Sequence, residues 1–316
     1  MTRWTSDDIP TQQGRRAVVT GTGGLGFETA LALARAGAEV IVAGRNPASG
    51  AEAVDRIIAA SPTAKIKFER LDLASLASVA DFAARLADQR NSLDILVNNA
   101  GIMRPPTWQA TTDGFELQLG TNYLGHHALT GRLLPLLMNG EEARVVTLSS
   151  IAARQGQIHF DDIHAKGRYD PMPVYCQSKL ACLMFAFELE RLSVASGWGV
   201  ASIAAHPGIS RTELLFNAPG RRSVIGMTRS LLWFLFQPAA QGALPTLFAA
   251  TAPEAKGGGY YGPHAWGETR GYPAPSLIPP QARDERVAAR LWEISEDMTG
   301  HPFAGMERST GVQSAP

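Results

Sequence analysis

The sequence predicts a single α/β domain built on a doubly wound, mostly parallel sheet of seven strands flanked by helices. Three observations predict it. Short apolar runs alternate with stretches of helical spacing from Arg16 onward, the pattern of a parallel sheet covered on both faces. The first strand runs into the glycine-rich stretch TGTGGLG, Thr20 to Gly26, with helical spacing directly after it, as in the βα turns that bind dinucleotides. No Pro/Gly/Ser linker divides the 316 residues, and no repeat recurs at a fixed period.

In chain order, RAVVT is a buried strand, and residues 25 to 36 have helical apolar spacing that Gly37 stops. EVIVAG is the second strand, IKFERL the third after a helix rich in Ala and Ile, and LDILVNNAG the fourth. A long helix spans residues 112 to 138 and ends at Asn139-Gly140, before ARVVTLSS, the fifth strand. Residues 173 to 196 form another helix, GVASIAAHPG a sixth strand and GGGYYGP a short seventh. Residues 1–316 are one domain, with 1–13 as an N-terminal extension, 213–237 as a substrate lid and 302–316 as a polar, disordered tail. The Pro-rich stretch 272 to 280 also stands outside the compact fold.

Composition excludes some partners. Lys plus Arg equals Asp plus Glu at 29 each, so no global field favours nucleic acid or an anionic membrane. The N-terminus has no apolar run of signal length and no 18-residue apolar run occurs, which leads us to expect a cytoplasmic protein without a transmembrane segment. Cys176 and Cys182 lie six apart on one helix, on different faces, as free thiols with too few soft ligands around them for a metal site.

Gly21, Gly23, Gly24 and Gly26, with Leu25 opening the helix, make an anion site of Rossmann type: glycine lets backbone approach a pyrophosphate, and the helix end supplies amide donors. Downstream, NNAG at 98 to 101, Asn122, Ser150 and the pair Tyr175/Lys179 follow in order on the fourth strand, a helix, the fifth strand and a helix. Together these residues resemble the short-chain dehydrogenase/reductase family over about residues 14 to 265. The lengthened stretch between serine and tyrosine, YCQSKLACLMFAFELERL and HPGISRTEL are similar to its retinol dehydrogenase-like branch. The glycine loop is one residue shorter than the family's.

Tyr175 and Lys179 are four apart and share a helix face. An ammonium beside a phenol stabilises the phenolate, so Tyr175 is suited to general acid/base work. The resemblance gives Ser150, rather than its neighbour Ser149, the hydrogen bond to the substrate oxygen, where a preorganised donor stabilises developing charge. It gives Asn122 a helix kink and a water linking Lys179 to solvent. It places the cofactor on Asp72, Leu73, Asn99, Ala100 and Gly101, and on Pro207, Gly208, Ile209 and Thr212. His206 is read as structural.

The second strand ends at Gly44, where NAD-preferring enzymes carry an acidic residue, and Arg45 follows. A guanidinium there suits a 2′-phosphate, so NADP(H) is the expected cofactor, with NAD as the alternative. Specificity is expected from IMRPPTWQ, the insertion 151 to 172 and the segment after the sixth strand, where Leu231 to Phe236 are apolar. That run is read as a lid, with dimer contact, membrane-surface helix or core as rivals. The expected activity is alcohol–carbonyl interconversion on a fairly large apolar substrate, the competing class a non-catalytic dinucleotide-binding sensor or scaffold. Homodimers would pair through the two long helices, with Phe185, Phe187 and Leu189 facing the partner, although DERVAARLWEISEDM can cover other surfaces.

Overall fold

The computed structural model describes residues 3–210 and 237–303. Thr212, the run 231–236 and nearly all of the expected lid lie outside the described residues.

β1 (Arg16–Thr20) and β2 (Glu39–Gly44) lie beside β3 (Lys65–Arg70), and β4 (Ile95–Asn98), β5 (Arg144–Leu148) and β6 (Ala201–Ala205) extend the other way. β7 (Tyr260–Ala265) and β8 (Arg270–Pro275) complete an eight-stranded sheet in the order β3-β2-β1-β4-β5-β6-β7-β8. The sequence predicts seven strands. The eighth is the only antiparallel one among the described residues, pairing Gly262 with Ala274. It lies in the Pro-rich stretch expected to be loose, and a terminal strand tolerates proline because one side of its ladder is unpaired.

The central strands are apolar on both faces because helices cover both. α1 (Gly24–Arg35), α2 (Pro47–Ala60) and α7 (Ala239–Thr251) pack on one face around Val19, Val42 and Leu247. α3 (Leu76–Gln89), α5 (Gly125–Met138), α6 (Pro171–Ser196) and α8 (Glu285–Thr299) pack on the other around Leu96, Leu129 and Phe185. α6 starts at an Asp170 N-cap with Pro171 in first position and stops at left-handed Gly197, both standard end signals.

The expected helix over 112 to 138 starts later. Residues 110 to 116 form a tight antiparallel bridge, and the helix begins as the single turn α4 (Leu117–Leu119). A π-helical segment, Gly120–Leu124, follows before α5. Sequence spacing does not reveal a π turn, because it inserts one residue without changing the residue types.

Both ends are better packed than expected. Trp4 meets Phe248 edge-on at 5.4 Å, and Phe303, in the expected tail, is buried with its ring 4.4 Å from Trp292. The partner-facing role of Phe185 and Leu189 is also corrected: both are buried in this chain's own core, and Phe185 stacks on Trp292 of α8 at 5.5 Å. Among the described residues no helix is long and apolar enough to cross a membrane.

Candidate active site

The ladder registers align the carboxyl ends of the central strands: Thr20 pairs with Ala43, Asn98 with Thr147 and Leu148 with Ala205. The β1–β4 neighbourhood is where the strand order reverses, and ligands of open α/β sheets bind at that crevice.

The glycine loop forms one side of it. Gly21 is left-handed at φ 97°, and Gly23 is the N-cap of α1. A Cβ at Gly26 would overlap the Gly21 carbonyl and come within 2.7 Å of Asn99 Nδ2. The loop is therefore drawn tight against the turn after β4. Thr20 Oγ1 accepts from the backbone N–H groups of Asn99 and Ala100, at 2.9 Å each, and Asn99 Nδ2 donates to Thr20 O at 2.6 Å.

Two cavities run along the crevice. One of about 610 Å³ is lined by Gly21, Thr22, Gly44, Arg45, Asp72, Leu73, Ala100, Gly101 and Thr121. The second, of about 400 Å³, is lined by Leu25, Asn99, Gly101, Met103, Ser150, Tyr175, Lys179 and Pro207–Ser210. Gly101 and Met103 belong to both. Almost every expected site residue thus falls into one continuous cleft; Gly23, Gly24 and Gly26 back it and Asn122 lies behind it. The cradle fits a dinucleotide in two further respects: glycine stands where a side chain would close the loop, and the buried Thr121 hydroxyl beside the larger cavity has no protein partner among the described residues. A cavity of about 720 Å³ near Phe160, Asp162, Arg168 and Arg290 contains none of the catalytic candidates.

Burial separates the two serines. Ser149 is 3% exposed and its hydroxyl donates to Lys179 O at 2.8 Å. Ser150 is less buried, caps the short turn Ile151–Gln155 by accepting from Ala152 N, and lines the smaller cavity. Tyr175 and Lys179 line it from α6, and Lys179 Nζ donates to Leu148 O at 3.0 Å.

Asn122 sits in the π segment. Its Oδ1 accepts from Ile102 N at 2.8 Å, and its Nδ2 donates to Ile102 O and Ser178 Oγ at 3.0 Å each. It pins the turn after β4 to α6 through Ser178, and its own backbone carbonyl faces His126 Nδ1 at 2.9 Å and the Cys182 thiol at 3.2 Å. His126 also reaches Thr20, so it joins the glycine loop to the Asn122 turn. Sequence reasoning missed it, since two adjacent histidines, His126 and His127, on an apolar helix carry no distinguishing pattern.

Two of the expected specificity segments meet at the cleft. Tyr169 of the insertion donates to Pro105 O at 2.9 Å, and Trp108 Nε1 donates to His164 O at 2.8 Å.

A model of the short chain dehydrogenases matches residues 15–220. The chain belongs to the short-chain dehydrogenase family. It lies in the retinol dehydrogenase-like branch. It is 39% identical over 297 residues to retinol dehydrogenase 13 of Mus musculus, covering 92% of this chain and 85% of that one. It is 40% identical over 312 residues to the polyprenol dehydrogenase of Mus musculus, covering 96% and 88%. The crystal structure of an uncharacterized protein from Mycobacterium Paratuberculosis superposes with a TM-score of 0.79 at 39% identity, covering 96% and 99%. The protein is therefore an NAD(P)-dependent oxidoreductase of alcohol dehydrogenase/reductase type.

Proposed function

We propose that this short-chain dehydrogenase interconverts an apolar alcohol and its aldehyde or ketone with NADP(H), using Tyr175 as acid/base. The observation that carries the reading is the smaller cavity, where Ser150, Tyr175 and Lys179 share a lining with Leu25, Met103, Ile151, Met172 and Ile209. Asn99, Gln155, Ser210 and Thr269 add further polar groups to a wall that is otherwise apolar, and such a lining suits a hydrophobic molecule whose reacting oxygen is held by a few polar groups. Relatives named for retinol and polyprenol, both isoprenoid alcohols, support such a substrate.

When bound, the nicotinamide supplies or accepts the hydride. In the reducing direction Tyr175 gives its phenolic proton to the carbonyl oxygen, and in the oxidising direction the phenolate takes the alcohol proton. Ser150 donates a hydrogen bond to the same oxygen as charge builds on it. Lys179, held by Leu148 O, lines the cavity one helical turn after Tyr175. Asn122 holds Ile102, and with it the turn that separates the two cavities. Arg45, on the wall of the larger cavity, pairs with a 2′-phosphate.

The test is Tyr175→Phe, assayed with NADPH and isoprenoid aldehydes. Turnover falls by about a hundredfold or more, the scale of a positioned acid/base group, while NADPH still quenches protein fluorescence with near wild-type affinity. Retention of more than about a tenth of the activity rejects the assignment.

A further inference from the structure

The turn between β7 and β8 contains two residues in the left-handed region that are not glycine, Trp266 at φ 53° and Glu268 at φ 67°, on either side of Gly267. L-residues adopt this conformation at a steric cost and keep it where surrounding contacts over-determine it. Glu268 has such contacts. Its Oε2 accepts from Arg154 Nη2 at 2.6 Å and lies 3.0 Å from His206 Nε2, and its Oε1 accepts from Leu277 N at 2.9 Å.

The histidine proton can be placed. Gly208 N donates to His206 Nδ1 at 3.2 Å, so Nδ1 is bare and the proton of the neutral ring is on Nε2, aimed at Glu268 Oε2 with Ser276 Oγ also at 2.9 Å. His206 is 0% exposed, and the Tyr260 ring packs at 5.2 Å. Burial would raise the Glu268 carboxyl, but the His206, Leu277 and Ser276 hydrogen bonds and the Arg154 charge hold it at about 2.

The two arms of this carboxylate lead to two separate segments that line the catalytic cavity. Arg154 belongs to the turn that Ser150 caps, and His206 precedes Pro207, Gly208 and Ile209. The neighbouring Thr269 reinforces the second arm: its carbonyl accepts from Ile209 N at 2.8 Å, and a Cβ on left-handed Gly208 (φ 63°) would overlap it.

We infer that Glu268 is a positioning residue for the catalytic centre: its single carboxylate holds the Ser150 turn through Arg154 and the Pro207–Ile209 loop through His206, and so sets the spacing between them. A lone surface ion pair contributes little. This one differs, because three donors from separate parts of the chain converge on one partly buried carboxylate, and charge-assisted hydrogen bonds fix geometry. Displacements of about 1 Å at reacting groups cost up to about a hundredfold in rate.

The experiment compares Glu268→Gln, Glu268→Gly and Arg154→Met in the full chain, reading kcat, NADPH affinity by fluorescence and the 15N shifts of histidine-labelled protein. Glu268→Gly removes the carboxylate while relieving the left-handed backbone, so it stays folded. Wild type is expected to show His206 as one neutral tautomer with a bare Nδ1. Both Glu268 variants are expected to keep Nδ1 bare, since Gly208 N still donates to it, but to move the His206 Nε2 resonance as its carboxylate acceptor is lost, with weaker NADPH binding and kcat lower by about tenfold. Arg154→Met lowers kcat while leaving the tautomer and NADPH affinity unchanged, because only one arm is cut. Wild-type kcat, NADPH affinity and His206 shifts in Glu268→Gly overturn the inference, as does unchanged kcat in Arg154→Met. The inference rests on the catalytic reading of this cavity, and Tyr175→Phe separates the two. An inactive Tyr175→Phe beside an unaltered Glu268→Gly overturns the positioning role alone, whereas an active Tyr175→Phe overturns the catalytic reading.

Discussion

The hydroxyl of Thr20 lies 2.9 Å from Nε2 of His126, whose Nδ1 lies 2.9 Å from the Asn122 carbonyl. A carbonyl only accepts, so Nδ1 carries the proton, and Nε2 accepts from Thr20. Burial, with a smaller push from the Lys179 charge, brings the His126 ring down to about 4, so it is neutral at pH 7.

This arrangement predicts that His126→Ala unlinks the glycine loop from the π segment. We expect a loss of about 2–4 kcal/mol of stability, from a cavity plus an unpaired buried group, and weaker NADPH binding. His126→Asn, which can restore the bond to the Asn122 carbonyl, loses less. A urea denaturation curve for His126→Ala within about 1 kcal/mol of wild type contradicts the linkage.

His127 tests burial in the opposite sense. It lies among Phe185, Trp292 and Phe303 at 5.0–5.5 Å, and neither ring nitrogen has a protein partner among the described residues. His127→Phe is expected to raise stability by about 1–3 kcal/mol, the cost of an unsatisfied buried polar group. A drop in Tm contradicts this.

Acid sensitivity follows from the same two rings. Burial takes His126 to about 4 and His127 to about 3, from 6.5. Below pH 6.5 the unfolded chain binds protons that the folded chain refuses, so stability falls with pH between 6.5 and those values and is insensitive to these groups above that window. Each histidine contributes about 1.4 kcal/mol per pH unit within it. His127→Phe should remove one such increment from the slope between pH 6 and pH 4. An unchanged slope in urea titrations contradicts the burial of that ring.

For the cofactor, Arg45→Ala should raise the KM for NADPH by about tenfold, one charge-assisted contact, and leave that for NADH nearly unchanged. A Cβ at Gly44 lies 2.8 Å from Thr22 Cγ2, so Gly44→Asp needs Thr22 to turn aside. We expect Gly44→Asp with Arg45→Ala to favour NADH only once Thr22 is shortened to Ser. A wild-type kcat/KM higher for NADH than for NADPH contradicts the role of Arg45.

Much of the candidate site was legible because its residues lie close in sequence to strand ends. Thr20, Asn99, Ser150 and Pro207 each follow a strongly apolar run, and parallel strands bring those ends together whatever the helices do. Tyr175 and Lys179 needed only helical spacing. The choice of Ser150 over Ser149 rested on resemblance; in the structure Ser149 is buried and donates to Lys179 O, while Ser150 is the less buried of the two. Three features left no local trace. β8 was hidden by Pro273 and Pro275, which read as loop. The π segment at Asn122 is a matter of hydrogen-bond register alone. Glu268 stands 114 residues from Arg154 and 62 from His206, and its neighbours Trp266 and Gly267 suggest only a turn.

The prolines of β8 matter beyond their effect on prediction. Pro273 and Pro275 leave that border of the sheet short of amide donors, while the opposite border, β3, carries Lys65, Lys67, Glu69 and Arg70. A strand arriving from another molecule would meet missing donors on one side and desolvation of charge on the other. Both margins of the sheet are thereby guarded against runaway sheet-to-sheet polymerisation.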